Sequence, residues 1–185
     1  MKLSRALLNR SCVPTAYFNV QFSKIPSVCP HKVVVQNYLK KLTTNIDKGL
    51  GLYLWGDYST GKSAIGCILL KAALSKKIVG YWCRSSNIAS DVIGDRTFDA
   101  TMSIHDRLLS APILVIDELV CHDDRRDAYV ENVIRERVNE GYATIVTSNY
   151  SPTKLGKKYP ALAEVLKESV VPVQVRGHDF RGEIA

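Results

Sequence analysis

The chain has 185 residues, 46% hydrophobic and 23% charged, with 11 Gly and 7 Pro; this is the size and composition of one globular domain and excludes a disordered, collagen-like or coiled-coil chain. No apolar run approaches the ~18 residues of a membrane span, so no membrane partner is expected. The 25 Lys+Arg against 18 Asp+Glu leave a net charge of +7, and all of that excess lies in residues 1–46, which hold seven basic residues and no acid.

Residues 1–46 read as a short basic lead-in to a domain spanning 47–185. MKLSRALLNRS can form one or two amphipathic turns, with Lys2 and Arg5 opposite Leu3 and Leu7. Arg10 breaks the apolar run, which excludes a secretory signal and leaves an organelle transit peptide open. One helix is expected near 31–42. Tyr17, Phe18, Phe22 and Tyr38 interleave with the basic residues, a pattern that suits nucleic acid as well as a solvated arm. Beyond Asp47, strands at Gly51–Trp55, Ile78–Cys83, Ile113–Ile116, Thr144–Thr147 and Val170–Val175 alternate with helices near 62–75, 86–94, 126–140 and 153–168. Most of these strands are unbroken apolar runs, the signature of a parallel α/β sheet covered on both faces. On the third of these helices Tyr129, Val130, Val133, Ile134 and Val138 recur at helical spacing and should face the sheet. The five cysteines form no CxxC pair and none stands at ligand spacing to a histidine, Cys121-His122 included. Reduced thiols in a cytoplasmic compartment are expected.

Three motifs carry chemistry. Gly56-Asp57-Tyr58-Ser59-Thr60-Gly61-Lys62-Ser63 fits G-x4-G-K-[ST], with an apolar strand before it and a helix from Ala64 after it. A loop opening a helix points unpaired N–H groups and a positive dipole end at phosphates. Gly56 and Gly61 allow the tight turn, Lys62 reaches the β/γ-phosphates, and the Ser63 hydroxyl suits Mg²⁺. Next, Ile113–Ile116 ends in Asp117-Glu118, 54 residues after Ser63. Acids emerging at the carboxyl end of a buried strand stand where parallel sheets bind ligands. Asp117 is expected to hold Mg²⁺ through water and Glu118 to polarise the attacking water, which favours hydrolysis over kinase chemistry. Third, Thr144–Ser148 runs into Asn149, placed to bond the γ-phosphate and the lytic water, although Asn-Tyr-Ser-Pro is also turn chemistry.

Together these residues resemble an AAA+ ATPase of the DnaC/DnaI-type helicase loaders and the related IstB transposition ATPases. Leu8–Tyr17 resembles their "R-x-x-I-P-x-x-[FY]" approach, Ile134–Val138 their "I-N-x-R-[FY]" stretch with Arg135 and Val138 departing, and Gly177–Arg181 their closing "G-x-D-x-R". The resemblance implies an α/β P-loop NTPase of the ASCE class: a five-stranded, mainly parallel sheet flanked by helices, with little or no lid after Asn149. It implies ATP and Mg²⁺ as cofactors and Arg181 as a second sensor facing ATP. It also implies self-association into a ring, spiral or filament, a replicative hexameric helicase and single-stranded DNA as partners, in a bacterial or phage-infected cytoplasm. Two departures stand out. Val165 occupies the place of the arginine that a neighbouring subunit uses in trans, with Lys157, Lys158, Arg125 and Arg126 as substitutes, so slow hydrolysis is expected. Only 55 residues precede Gly56 here, so a minimal form without a separate helicase-binding domain, of the kind that suits a phage or mobile element, is expected. Arg84, Arg96, Phe98 and Arg107 are candidate DNA contacts, while Tyr81 and Trp82 read as core. The alternatives are an IstB-like transposition regulator, an ATP-dependent DNA-binding scaffold with little hydrolysis, and a small-molecule kinase.

Overall fold

The computed structural model describes residues 3–88, 104–119 and 124–177. Helix α1 (Arg5–Arg10), the 3-10 turns Thr15–Tyr17 and Phe22–Lys24, α2 (His31–Lys40) and α3 (Leu42–Asp47) form the lead-in. Then come β1 (Gly51–Trp55), α4 (Lys62–Ser75), β2 (Gly80–Arg84), a helical start at 85–88, α5 (Ile104–Ser110) and β3 (Ile113–Asp117). The chain continues through α6 (Asp124–Asn139), β4 (Ala143–Ser148), α7 (Pro152–Lys158), α8 (Pro160–Ser169) and β5 (Val170–Gln174). The five strands pair in parallel, in the order β2-β3-β4-β1-β5.

Alternation within each strand divides the core between the two faces of the sheet. Leu52, Leu54, Ile113, Val115 and Ile145 point to one face, where α4 and the lead-in helices pack. Tyr53, Leu114, Ile116 and Val146 point to the other, under α6, α7 and α8. The lead-in is part of this packing: Leu8, Val13, Val35, Tyr38, Leu42 and Ile46 are buried against α4 and the sheet. Its aromatic residues turn inward too, with Tyr38 donating to the Leu50 carbonyl at 2.7 Å and Tyr17, Phe18 and Phe22 half-buried. They pack on the core, and the exposed cations of the lead-in are Arg5, Arg10, Lys24, Lys40 and Lys41.

The helix expected over 153–168 is two. Pro160 has no N–H to continue α7 and forces Tyr159 out of helical geometry, to φ −138° and ψ 72°. The helix near 31–42 likewise divides at Lys41, and α3 carries the chain on to Asp47. Strand β2 starts two residues later than expected, because Ile78 belongs to the end of α4. The Ile78 N–H returns to the Ala73 carbonyl and the Lys77 N–H to that of Leu74, with Lys77 left-handed at φ 63°; this is a Schellman closure. On α6 Val130, Val133 and Ile134 are buried and Val138 packs on the same cluster, whereas Tyr129 faces solvent. Helix α5, absent from the sequence expectation, carries the exposed Arg107. Tyr81 and Trp82 are half-buried on opposite faces of β2. Among the described residues no helix is long and apolar enough to cross a membrane.

Candidate nucleotide-binding site

The strand order fixes where chemistry can gather. Strand β4 lies between β3 and β1, so the residues leaving all three carboxyl ends share one edge, beside the switch point of the sheet. At β1 the chain leaves the sheet through Gly56, whose φ is 151° and whose missing Cβ would stand 2.3 Å from the Val175 carbonyl oxygen. No other residue fits there. Gly61, at φ 91°, turns the loop into α4. Between them Thr60 donates its hydroxyl to the Asp57 carbonyl at 2.9 Å, while Asp57 and Tyr58 stand in solvent. Ala64 is buried in the first turn of α4.

Lys62 is folded into this loop. Its Nζ donates to the carbonyls of Gly56 at 3.0 Å and Asp57 at 2.5 Å, and the residue is 8% exposed. Burial pulls its pKa below the ordinary lysine value, against the opposing pull of Asp117, Asp57 and Glu118. A buried cation satisfied only by neutral carbonyls suits an incoming anion.

Asp117 ends β3 at 2% exposure. Burial pushes its carboxyl above the usual aspartate range, against the hydrogen bonds from Thr147 and Ser63 that favour the charged form. Thr147 joins two neighbouring strands here: its Oγ1 donates to Asp117 Oδ1 at 2.6 Å and accepts the Glu118 N–H at 2.9 Å. A desolvated carboxyl beside a serine hydroxyl is an oxygen donor set that fits a hard divalent cation. Glu118 sits in left-handed backbone at φ 54°, held by Ser85 Oγ donating to its carbonyl at 2.6 Å. Its side chain is exposed and 3.8 Å from Arg84 Nε, so Arg84, a candidate DNA contact by sequence, faces the acid of this site. Asn149 is half-buried at the bend that ends β4, between the other two motifs.

Sequence reasoning missed the wall beside the loop. A shallow recess of about 30 Å³, open to solvent, runs between the lead-in and α4, lined by Val20, Ile25, Pro26 and His31 on one side and Gly61, Ala64 and Ile68 on the other. Its surface is almost wholly apolar. His31 is 3% exposed, its Nδ1 is buried without a partner, and burial lowers its pKa, which keeps the ring neutral. Thr147 was also missed as a site residue. The one signal for Thr147 was a polar residue at an inward strand position. Arg96, Phe98 and Arg181 lie outside the described residues, and Arg125 and Arg126 fall in the first turn of α6. Val165, on α8, is buried in the core beneath that helix's inner face.

The AFG1-like ATPase family matches residues 15–183. The replicative helicase loader DnaI of Bacillus subtilis is 25% identical over 167 residues, covering 80% of this chain and 52% of that protein; the chain thus spans about half the length of the curated relative it matches. Among solved structures, the DnaC helicase loader superimposes with a TM-score of 0.75 at 19% identity, over 88% of this chain and 100% of that one. A replication initiator DnaA bound to AMPPCP and single-stranded DNA superimposes at 0.69 and 13% identity, over 85% of this chain and 50% of that one. At such identities these structures speak for the fold, which is that of P-loop AAA+ proteins. With the family matched from the lead-in to the C-terminal segment, the chain belongs to the AFG1-like ATPases and is an AAA+ protein akin to the DnaC/DnaI-type loaders.

Proposed function

We propose that this chain binds ATP with Mg²⁺ at the β1–α4 loop, hydrolyses it slowly, and serves DNA replication by placing a hexameric helicase on single-stranded DNA. The observation that carries the nucleotide reading is Lys62, a buried cation held only by two carbonyls at the mouth of a glycine-bounded loop. The loop from Gly56 to Ala64 (Asp57, Tyr58, Ser59, Thr60, Gly61, Lys62 and Ser63 between them) wraps the phosphates with its N–H groups, and Lys62 swings from its carbonyls onto the β/γ oxygens. The recess beside Gly61 offers the base an apolar wall to lie against. Ser63 and Asp117 would hold Mg²⁺, Asp117 through water, and Thr147 keeps that carboxyl oriented. When bound, Mg²⁺ would neutralise charge on the phosphate oxygens. Glu118 orients and polarises the attacking water, and Asn149 bonds that water and the γ-phosphate. Arg181 is assigned as a second sensor facing ATP by resemblance alone.

The DNA and helicase roles rest on kinship with the loaders, on the single-stranded DNA held by the DnaA relative, and on the exposed lead-in cations and Arg107. Self-association in a ring or spiral belongs to the same proposal. A second reading, ATP as a subunit tie with little turnover, is favoured by the buried Val165 and the absence of any arginine on α8. Glu118→Gln tests the assignment. It is expected to keep ATP affinity within about twofold, to cut hydrolysis at least ~100-fold, and to lengthen the life of ATP-dependent assemblies. Unchanged hydrolysis and assembly would remove Glu118 from its role. Wild-type hydrolysis already at background, with ATP-dependent assembly intact, would favour the second reading.

A further inference from the structure

Beyond the lead-in the charges of the chain balance in number but not in place. From Gly141 to Ala163 there are three lysines, Lys154, Lys157 and Lys158, and no acid. All three are exposed and stand at helical spacing on one face of α7, whose Leu155 is buried. Two tyrosine rings lie beside them. Lys154 Nζ is 4.9 Å from the centre of the Tyr150 ring, and Lys158 Nζ is 5.3 Å from the centres of both Tyr150 and Tyr159. Lys158 also donates to the Tyr150 hydroxyl at 3.3 Å. The rings are held by their backbones. The Tyr150 N–H donates to Ser148 Oγ at 3.1 Å, and its carbonyl accepts from the Tyr53 hydroxyl at 2.8 Å. Ser148 Oγ donates in turn to the Leu119 carbonyl at 2.8 Å, so Tyr150 is tied both to β1 and to the end of β3. The Tyr159 N–H donates to the Leu155 carbonyl at 2.7 Å, and its carbonyl accepts the Ala163 N–H at 3.0 Å. Both residues are half-buried and pack in part on the core beneath α6, α7 and α8.

Lysines without a neighbouring acid suit a polyanion, and fixed aromatic rings among them suit one that carries planar groups to stack. With Leu155 buried, α7 shows no large aliphatic side chain to insert into a lipid surface. A duplex keeps its bases stacked on one another, whereas a single strand has base faces to offer. An ammonium over an exposed ring is held less strongly than a stacked base. A base therefore replaces the lysine on the ring and leaves the ammonium to a nearby phosphate. Resting on the single-stranded DNA part of the reading above, we propose that Tyr150, Tyr159 and the three lysines of α7 form a platform for single-stranded nucleic acid. Bases stack on the two rings and the lysines follow the phosphates. The platform begins where β4 leaves the sheet, next in the chain to Asn149, so the strand is held at the edge that carries the phosphate loop.

The test is fluorescence anisotropy of a labelled oligothymidylate titrated with the full chain, with a non-hydrolysable ATP analogue and Mg²⁺ present, between about 50 and 200 mM NaCl. The triple variant Lys154→Gln, Lys157→Gln, Lys158→Gln changes only exposed side chains. It is expected to weaken binding at least ~10-fold at the lower salt and to reduce the slope of log affinity against log salt by about 2. Tyr150→Leu is expected to weaken binding about tenfold with the slope unchanged, and Tyr150→Phe, which keeps the ring, to stay within about twofold of wild type. Lys48→Gln, Lys76→Gln and Lys77→Gln together remove the same charge at the opposite edge of the sheet and are expected to change affinity less than ~2-fold. A triple variant of α7 no weaker than this control overturns the proposal. Tyr150→Leu binding as wild type also overturns it, since charge alone would then serve an anionic lipid or an acidic protein equally well. A duplex as sensitive to Tyr150→Leu as the single strand does the same. Wild type that binds the oligonucleotide while every variant of the patch matches it removes α7 and leaves the DNA reading standing. Wild type that binds no oligonucleotide overturns that reading itself, and the inference falls with it.

Discussion

Arg137 shows how much a single buried side chain can organise. It is fully buried on α6, with Nε donating to Thr144 Oγ1 at 3.0 Å, Nη1 to the carbonyls of Leu108 and Leu109 at 2.6 and 3.0 Å, and Nη2 to that of Ala143 at 2.8 Å. The Tyr142 ring lies 5.6 Å from the guanidinium carbon. Burial pushes its pKa down to about 9, which leaves it charged at neutral pH. It thus pins the end of α5 and the start of β4 to α6, satisfying carbonyls that would otherwise be buried without donors. Arg137→Met is expected to cost about 3 kcal/mol, through orphaned acceptors more than through lost charge. In a chain of this length that is a fall in Tm of roughly 6–12 °C, read by circular dichroism. Arg137→Lys should recover less than half, since one ammonium cannot span the fork. A melting point within 2 °C of wild type would mean that water or a rearranged α5 takes over those carbonyls. The sequence placed this arginine in a family-like stretch and said nothing of its burial, because one basic residue on an amphipathic helix reads as solvent-facing. The placing of Lys62, Ser63 and Asp117 at one edge of the sheet was legible for the opposite reason: a glycine-bounded loop between an apolar strand and a helix, and an acid closing a second apolar strand, are patterns of fixed residue types at fixed places. Thr147 touches Asp117 across neighbouring strands, a contact that carries no spacing rule.

Lys77, at the end of α4, occupies the one Schellman position where a glycine would cost nothing. Left-handed geometry in a residue with a Cβ costs roughly 1–2 kcal/mol, part of which glycine returns through the greater freedom of the unfolded chain. Lys77→Gly is therefore expected to stabilise the protein by about 1 kcal/mol, raising Tm by roughly 2–4 °C, with nucleotide affinity unchanged because the phosphate loop lies at the other end of α4. A lower Tm would show that the exposed lysine makes a contact worth more than the strain. This helix end also explains why strand β2 was legible in type but not in start: Ile78 and Val79 are as apolar as the strand they precede, and only the closing hydrogen bonds assign Ile78 to the helix. Helices α7 and α8 ran together in the sequence because Leu155, Leu162, Ala163 and Leu166 keep one apolar stripe through the break at Pro160. In the lead-in the charge count hid Leu8, Val13, Val35 and Leu42, whose partners on α4 and the sheet are distant in sequence.

At the scale of the whole molecule, the order β2-β3-β4-β1-β5 opens the three motif-bearing strand ends toward one edge, and α8 packs under the face opposite α4. Helix α8 turns Leu162, Ala163, Val165 and Leu166 inward and shows solvent Glu164, Lys167 and Glu168, the first two paired with each other. An arginine at 165 would have to bury its charge in the second core cluster, so no small change at that position restores a cation to a neighbouring site. On the proposed reading, the charge that develops on the transferred phosphoryl group would be met by Lys62, by Mg²⁺, by Arg181 and by whatever cation another chain brings, and a trans-acting arginine is worth roughly 10³–10⁵ in rate where one operates. The isolated chain is accordingly expected to turn over on the order of 10⁻³ s⁻¹, in a phosphate-release assay run across a hundredfold range of protein concentration. Specific activity above ~1 s⁻¹ at any concentration would sink this expectation, since it would require a catalytic cation that α8 does not supply. A rise of several hundredfold on adding a helicase partner, with none on adding DNA alone, is the outcome that a loader whose missing charge arrives with its cargo should give.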